Sequence, residues 1–264
     1  MNANIEHASG ALAHVPPIET ERRGPILQIT LNRADKFNVL SGAMIEALRR
    51  ALLEAAADPE VRVVVLAASG RAFSAGHDLT EMGADASVAQ LQALFNDCTE
   101  LMLTVRRLPQ PVIARVQGIA TAAGCQLVAM CDLAVADRNA RFAVSGINLG
   151  LFCSTPAVAL SRALLPKPAL EMLLTGDFID ADTARERGLI NRVVAPEDLD
   201  AEVEKLALAI ASKSQAAIAM GKRLFYEQLE RPLAEAYAQA AEVMAKNAVA
   251  EDARSAIARF TQRG

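Results

Sequence analysis

The sequence predicts an α/β core followed by a helical C-terminal region, and three observations support this prediction. Apolar runs of strand length alternate with amphipathic segments of helix length through most of the chain. Two of these runs lead into short segments of small residues, at 73–79 and 120–127. From residue 198 the chain is rich in alanine and other helix-forming residues. The predicted division is a loose N-terminal tail over residues 1–20, an α/β core over residues 21–197 and a helical region over residues 198–264.

The first elements follow from side-chain periodicity and from turn residues. Residues 25–32 alternate well enough for a strand. Ser41 is a suitable N-cap for a helix in which apolar residues recur at helical spacing, and the aspartate and proline at 58–59 end it. The apolar run 61–67 predicts a buried strand, and residues 88–108 predict a helix that two prolines close.

The same order of elements recurs further along the chain. We predict strands over residues 112–117, 133–136, 141–144 and 190–194, and helices over residues 121–132, 157–165, 168–175 and 181–187. Beyond residue 198, helices continue almost to the end, with a break near Arg231 and Pro232. Strands and helices in alternation are typical of an α/β protein.

Composition argues against two classes of partner. The chain has 264 residues and a net charge of −4, with a pI near 5.5 and no block of lysine or arginine, so we expect no nucleic-acid partner. The mean hydropathy is +0.21 and residues 142–161 are uncharged, but serine, glycine, asparagine and proline interrupt that stretch. We therefore expect no membrane span and a small ligand.

The N-terminus and the cysteines bear on location. Residues 1–17 contain no basic segment followed by an apolar one, so they do not resemble a secretory signal. The four cysteines show neither CxxC spacing nor the density of a disulfide-rich secreted protein. These observations predict free thiols in a cytoplasmic protein.

The two segments of small residues predict one shared site. FSAGHDL at 73–79 and ATAAGCQL at 120–127 each follow an apolar run. Small residues let the backbone approach a ligand closely, and a tight turn leaves amide N–H groups free. Two such N–H groups that point at one oxygen atom form an oxyanion hole.

Three longer segments, FSAGHDLTEM, ATAAGCQLVAMCDLAVA and EMLLTGDFIDADTARERGLINRVV, resemble the crotonase, or enoyl-CoA hydratase/isomerase, superfamily. The sequence HDL after FSAG and the sequence GLFCSTP more narrowly resemble the enoyl-CoA hydratase domain-containing protein 3 subgroup. The resemblance implies a crotonase-like spiral of ββα units with a C-terminal helical part, assembled as a homotrimer or a hexamer of two trimers. It also implies an acyl-CoA thioester as ligand, with coenzyme A as part of the substrate and neither a further cofactor nor a metal.

The resemblance assigns roles to individual residues. By motif position, the backbone N–H groups of His77 and Ala123 correspond to the oxyanion hole. The implied contacts to pantetheine and adenine are Ala75, Asp78 and Leu79, with Gly124 beside the second N–H group. The implied rim of the nucleotide site consists of Lys36, Arg71 and the loop of Asn32 and Arg33, and Lys222 or Arg223 is expected to meet a phosphate.

The chain departs from the family at the two catalytic glutamates, whose positions are occupied by Gln126 and Gly146. Gln126 stands three residues after Ala123, so we expect both on the helix face that looks into the cleft. An amide orients a water molecule but has no basic pKa near 7, and glycine has no side chain. Each positioned acid or base contributes about 10²–10⁴-fold, so we expect weak or absent hydratase activity.

Other side chains offer alternatives. His77 has an imidazole at the oxyanion turn, and Cys153 precedes a helix N-terminus, which lowers the pKa of a thiol. The simpler alternatives are a turn residue at 77 and an N-cap at Ser154 or Thr155. Asp78 is predicted to cap the next helix. We predict that Cys125 and Cys131 pack in the core and that Asp132 is a structural charge without a catalytic role.

Three functions remain open from the sequence. The leading one is an enzyme, or enzyme-like protein, that binds an acyl-CoA and stabilises an enolate-like oxyanion. The second is another thioester reaction, namely hydrolysis, decarboxylation or isomerisation, that uses His77 or Cys153. The third is a non-catalytic acyl-CoA-binding or regulatory protein.

Overall fold

The computed structural model describes residues 15–83 and 85–262. Its strands are β1 (Ile18–Arg23), β2 (Ile26–Leu31), β3 (Val63–Ala68), β4 (Ala72–Ser74), β5 (Val112–Val116), β6 (Ile119–Thr121), β7 (Leu133–Asp137), β8 (Arg141–Ala143), β9 (Ile179–Asp180) and β10 (Arg192–Val194). Its α-helices are α1 (Gly42–Ala57), α2 (Val88–Arg107), α3 (Ala123–Met130), α4 (Ser154–Ala163), α5 (Pro166–Thr175), α6 (Ala181–Glu186), α7 (Leu199–Ala211), α8 (Gln215–Gln228), α9 (Leu233–Ala248) and α10 (Glu251–Thr261).

The chain winds so that successive turns add one strand to each of two sheets. The larger sheet has the order β1-β2-β3-β5-β7-β10, and the smaller sheet has the order β4-β6-β8-β9. Neighbours in the larger sheet are parallel except for the β1–β2 hairpin. A helical segment follows each of the pairs β3–β4, β5–β6 and β7–β8. This repeat confirms the predicted α/β spiral of ββα units.

The larger sheet is buried on both faces. Val64 and Leu66 of β3 belong to the main core, whereas Val63 and Val65 contribute to a second cluster with α7. Successive side chains of a strand point to opposite faces, so α7 covers the outer face of the sheet. Burial on both faces explains why β3 is a continuous apolar run in the sequence.

Several helices begin where the sequence supplies a cap. The Ser41 hydroxyl accepts a hydrogen bond from the Met44 N–H, as predicted for α1. Ser87 and Gln90 form a reciprocal capping box at the start of α2. The charges in the last turn of α2 are basic, which suits the negative end of the helix dipole.

Four strands were not predicted from the sequence: β1, β4, β6 and β9. Three of them have two or three residues, too few to show periodicity. β1 is a charged edge strand with mostly exposed side chains. It begins at Ile18, so the predicted boundary of the tail at residue 20 lies inside a strand, while residues 1–14 lie outside the described residues.

The C-terminal region is helical, as predicted, and is divided into four helices. The predicted break near Arg231 is present, and further breaks separate α7 from α8 and α9 from α10. Ser214 caps α8 by accepting a hydrogen bond from the Ala217 N–H. Across the described part of the chain, no helix has both the length and the apolar character needed to cross a membrane.

Candidate active site

The loop before α1 anchors the first turn of the site. Asn38 is fully buried, and its Nδ2 donates to the carbonyl oxygens of Ser69 and Ala72, at 2.8 Å in both cases. Its Oδ1 accepts from the Arg33 N–H at 2.8 Å. The Phe37 carbonyl accepts from the Ala75 N–H at 3.0 Å. These bonds hold the loop against the chain that enters and leaves β4.

The first turn follows β4 and requires a glycine. The Leu40 N–H donates to the Gly76 carbonyl at 2.7 Å, which fixes the backbone just before His77. Gly76 has φ +92°, a conformation that side chains rarely adopt. A Cβ there would lie 2.8 Å from the Ala122 Cβ and 3.2 Å from the Ala123 nitrogen. The first turn is therefore in direct contact with the second.

The second turn joins β6 to α3. Ala122 has φ 50° and ψ −122°, a strained conformation for a residue with a Cβ. Its N–H donates to the Ala143 carbonyl at 3.0 Å, and its carbonyl accepts from the Gln126 N–H at 3.0 Å. Ala123 thus occupies the first position of α3, where N–H groups have no partner inside the helix.

Gly124, predicted as a substrate contact, instead has a packing role. A Cβ on Gly124 would lie 2.7 Å from the Ser74 Cβ and closer still to the Ser74 carbonyl oxygen. Gly124 does not line the cavity described below. Its role in the structure is to let α3 approach β4, which brings the two turns together.

The backbone N–H groups of His77 and Ala123 are both available. Within the described residues neither N–H donates a hydrogen bond to the protein. Buried backbone donors are normally paired, so two unpaired donors on adjoining turns require an explanation. The Ala123 N–H lies at the N-terminus of α3, where the helix dipole favours negative charge.

A cavity of about 370 Å³ lies beside the two turns. The apolar side chains of its wall are Ala75, Leu79, Met82, Phe95, Ala122, Ala123, Leu149, Leu151, Phe152 and Pro156. The other residues that line it are His77, Ser145, Gly146, Cys153, Ser154 and Thr155. Among these lining residues there is no carboxylate. A larger open groove between the start of α8 and α10 contains neither turn, so we assign the site to this cavity.

His77 contributes its side chain as well as its backbone to the site. The ring meets Phe95 edge-on, with 5.4 Å between ring centroids. Both ring nitrogens are shielded from solvent and have no hydrogen-bond partner in the described chain. Burial lowers the pKa of the imidazole, and the nearby Leu40 carbonyl and Glu81 oppose this only in part. The ring is therefore neutral at pH 7.

The two substituted glutamate positions differ in their surroundings. Gln126 is 4% exposed, does not line the cavity and has a buried Oε1 without a partner among the described residues. Its predicted exposure to the cleft is thus not seen. Gly146 lines the cavity, but a Cβ there would lie 2.6 Å from the Leu151 carbonyl oxygen and 2.7 Å from the Cys153 Sγ. A side chain at position 146 has no room.

Cys153 is a poor candidate for a nucleophile. Burial raises the pKa of its thiol, although the Gly146 backbone opposes the shift. Cys153 itself is the N-cap residue of α4, and neither Ser154 nor Thr155 serves as the predicted side-chain cap. The predicted packing roles of Cys125 and Cys131 agree with their burial.

Two basic residues predicted for the nucleotide rim lie together at the surface. Lys36 ends the 3₁₀ helix Ala34–Lys36 and is exposed. The Arg71 guanidinium lies over the Phe37 ring, 4.5 Å from its centroid. Ala75 and Leu79 line the cavity, and their contact with pantetheine and adenine stays a prediction.

The prediction that Asp78 caps a helix is wrong, because α2 begins ten residues later and is capped by Ser87. Asp78 instead closes a local turn: its Oδ1 accepts from the Thr80 hydroxyl at 2.6 Å and from the Thr80 N–H at 3.0 Å. The Thr80 hydroxyl holds the pKa of Asp78 below its usual value. This side chain shapes the loop that leads away from His77.

The structure contradicts the prediction that Lys222 meets a phosphate. Its ammonium group donates to the Asp132 Oδ2 at 2.7 Å and to the carbonyl oxygens of Val105 and Gln110. These three acceptors match the three protons of the ammonium group. The Tyr226 hydroxyl also donates to Asp132, at 2.7 Å, so Asp132 has the predicted structural role. This cluster attaches α8 to the core.

Most of the aromatic and aliphatic wall of the cavity, apart from Ala75, Leu79 and Ala123, was not predicted from the sequence. Phe95 stands three residues before buried Cys98 in α2, so helical spacing was an available signal. Leu149 ends the 3₁₀ helix Ser145–Leu149, and Leu151 and Phe152 lie in the irregular segment that leads to α4, so the sequence offers no periodicity there.

Comparison with known proteins identifies relatives along almost the whole chain. The profile of the enoyl-CoA hydratase/isomerase family matches residues 21–264. The mitochondrial enoyl-CoA hydratase domain-containing protein 3 of Xenopus laevis is 44% identical over 257 residues, covering 97% of this chain and 87% of the relative. The human protein of the same name is 41% identical, covering 94% of this chain and 82% of the relative.

These relatives contradict the prediction of a cytoplasmic protein. The vertebrate proteins most similar in the comparison are named as mitochondrial. The four cysteines are unpaired, as predicted. Free thiols indicate a reducing environment, but they do not distinguish one reducing compartment from another, so the inference from cysteine content to the cytoplasm was wrong.

Solved structures agree with the family match. A crystal structure of an enoyl-CoA hydratase from Mycobacterium smegmatis has a TM-score of 0.92 and 55% identity, covering 94% of this chain and 97% of that one. The human enoyl-CoA hydratase domain-containing protein 3 has a TM-score of 0.91 and 41% identity, covering 94% and 98%. The chain therefore belongs to the enoyl-CoA hydratase/isomerase family, the crotonase superfamily, and within it resembles the enoyl-CoA hydratase domain-containing protein 3 type.

Proposed function

We propose that this protein binds an acyl-CoA thioester and stabilises its enolate-like oxyanion between the backbone N–H groups of His77 and Ala123. The observation that carries this proposal is the contact of two turns that each hold an unpaired N–H group beside one cavity. Backbone donors that are already fixed in place do not have to reorganise as charge develops on the oxygen.

The surroundings strengthen these donors. The cavity wall is largely apolar, and electrostatic interactions are stronger where water is excluded. The Ala123 N–H also adds the partial positive charge of the α3 N-terminus. The rim residues Lys36 and Arg71 provide positive charge for the phosphates of the CoA portion. No cofactor other than the CoA carried by the substrate takes part in this proposal.

Hydration of an enoyl-CoA is expected to be slow. The cavity has no carboxylate among its lining residues, and the space beside Gly146 is filled by Leu151 and Cys153. A hydratase needs a group that activates water and a group that exchanges a proton at C2. The loss of two such groups removes about 10⁴-fold or more.

The experiment combines binding with two reactions. Calorimetry with butyryl-CoA tests binding, and the ultraviolet absorbance of bound acetoacetyl-CoA tests whether the enolate form is stabilised. Crotonyl-CoA hydration is measured in parallel and is expected to stay far below about 10 s⁻¹, the median turnover of enzymes. Absence of binding, or binding of acetoacetyl-CoA with no increase in its enolate form, refutes the proposal.

Non-catalytic acyl-CoA binding is the second candidate function, favoured by the cavity lining without carboxylates. This candidate is supported if the protein binds acyl-CoA and gives an enolate signal, but neither exchanges the C2 proton of the ligand with solvent nor forms a product.

We further propose that the protein assembles as a homotrimer or as a hexamer of two trimers, following the family resemblance. Large apolar side chains on α9 and α10 support self-association, because Tyr237 is 69% exposed, Met244 is 76% exposed and Phe260 is 82% exposed. Light scattering coupled to size-exclusion chromatography gives the mass in solution. A monomer mass at all concentrations contradicts this assembly.

A further inference from the structure

We propose that the imidazole of His77 is a catalytic residue that removes and returns a proton at C2 of the bound acyl-CoA. The inference rests on the proposed function, because it needs the thioester oxygen to be held by the N–H groups of His77 and Ala123. It adds an acid–base group to a site whose usual glutamate positions are occupied by Gln126 and Gly146.

The composition of the cavity wall singles out this side chain. Of the residues that line the cavity, His77 alone has a group that accepts a proton near neutral pH. Cys153 is the other titratable side chain there, and burial keeps it as a thiol. The hydroxyl groups of Ser145, Ser154 and Thr155 are not bases at this pH.

The position of His77 places base and oxyanion donor on the same residue. An enolate forms when a proton leaves C2 while negative charge moves to the thioester oxygen. C2 is bonded directly to the thioester carbonyl carbon, so a base beside the oxyanion donor is at the appropriate separation. His77 is one of the residues that line the cavity, and its ring contacts that of Phe95, another lining residue.

The unpaired ring nitrogens support a functional role. Within the described chain neither nitrogen has a hydrogen-bond partner, and buried polar groups without partners concentrate at functional sites. A structural histidine is normally held by at least one hydrogen bond. Here the ring is held by the edge contact with Phe95 and lies near the Leu40 carbonyl, so a turn of the ring toward a bound thioester breaks no close hydrogen bond in the described chain.

The protonation state suits a base. Burial in the apolar wall keeps the imidazole neutral, while the Leu40 carbonyl from the preceding loop and Glu81 from the following turn favour the charged form to a smaller extent. Phe95, the contact from α2, is uncharged. A neutral imidazole has a free lone pair, and the carbonyl and carboxylate nearby stabilise the imidazolium that forms during transfer.

The step is balanced without another reactant. The C2–H bond breaks, the proton moves to one imidazole nitrogen, and the bonding electrons form the enolate, whose oxygen accepts from the two backbone N–H groups. The reverse step returns a proton to C2 and restores the neutral imidazole. In D₂O the imidazolium exchanges its proton with solvent, so the acyl-CoA acquires deuterium at C2.

The test measures deuterium incorporation into butyryl-CoA in D₂O by mass spectrometry. This thioester has no double bond, so hydration does not contribute. The wild-type protein is expected to incorporate deuterium faster than the protein-free reaction. His77→Phe keeps the backbone N–H and the bulk of the ring, so it is expected to bind butyryl-CoA but to exchange at least about 10²-fold more slowly.

A matched variant separates catalysis from structure. His77→Ala leaves a space of ring size, so added imidazole is expected to restore exchange in this variant and not in His77→Phe. Rescue of exchange is not expected from a merely structural histidine. Calorimetric binding and thermal unfolding establish that each variant is folded.

The outcomes distinguish the two proposals. No binding of butyryl-CoA by the wild-type protein refutes the proposed function. Binding without exchange by the wild-type protein, or exchange by His77→Phe at the wild-type rate, overturns the role of His77 and leaves the oxyanion hole in place. If both variants lose binding, a wild-type exchange rate that does not fall as the pH is lowered well below 6.5 also overturns that role, because a protonated imidazole accepts no proton.

Discussion

Gly124→Ala tests the contact that brings the two turns together. The added Cβ would lie 2.7 Å from the Ser74 Cβ, whereas ordinary contact begins at 3.4 Å. The three nearest atoms are the carbonyl oxygen, carbonyl carbon and Cβ of Ser74, so no flexible group moves aside. The start of α3 must therefore withdraw from β4 by about 0.7 Å or more, and Ala123 moves with it.

The expected effect is large for function and moderate for stability. A shift of about 1 Å in a positioned group costs about 10²-fold. We therefore expect acetoacetyl-CoA bound to Gly124→Ala to show about 10²-fold less enolate relative to the keto form. Overpacking of a closely packed contact costs about 1–3 kcal/mol in the free energy of unfolding.

Gly221→Ala is the matched control. Gly221 lies inside α8, and a Cβ there has no neighbour within 4 Å. Alanine is favoured over glycine inside a helix by about 1 kcal/mol, so this variant is expected to be more stable and to keep the wild-type enolate signal. The assays are ultraviolet titration with acetoacetyl-CoA and urea denaturation. A Gly124→Ala protein with wild-type enolate content and stability refutes the packing argument.

Three further predictions follow from the site and its supports. Gly146→Glu is expected not to increase crotonyl-CoA hydration, because the Cys153 Sγ lies 2.7 Å from the position of its Cβ. Lys222→Met is expected to lower the free energy of unfolding in urea by about 3–5 kcal/mol, because it leaves the largely buried Asp132 carboxylate without its cationic partner. The wild-type protein is expected to lose stability as pH falls below 6.5, and His77→Phe is expected to lose less. Burial lowers the pKa of the His77 imidazole in the folded state, so at these pH values the unfolded chain binds more protons than the folded chain and becomes favoured.

Each of these has a result that would contradict it. A rise in hydration with Gly146→Glu shows that Cys153 yields space for a carboxylate. Arg223→Met is the control for Lys222→Met, since Arg223 pairs with Glu227 at the solvent-exposed surface, where the loss of an ion pair has little effect on stability. Equal losses of unfolding free energy in Lys222→Met and Arg223→Met contradict the prediction for Lys222. Identical pH profiles of unfolding for wild type and His77→Phe contradict the prediction for pH.

The sequence by itself determined the order of elements and the location of the two turns. The α1 cap at Ser41 and the continuous apolar run of β3 each have a local cause, namely a side-chain hydrogen bond and burial on both faces of a sheet. The glycine at 76 likewise reflects a local backbone need, its positive φ. Helix caps, apolar strand runs and turn glycines depend on residues that are adjacent in the chain, so they can be predicted from sequence patterns.

Only the tertiary structure decided what surrounds each candidate side chain. Lys222 is far in sequence from Asp132, and their pairing removes the lysine from the list of phosphate contacts. Leu151 and Cys153 occupy the space that a side chain at position 146 would need. That the His77 ring nitrogens have no partner in the described chain is known only from the residues packed around them. Hydrogen bonding, burial and steric room come from residues distant along the chain, so no local pattern encodes them.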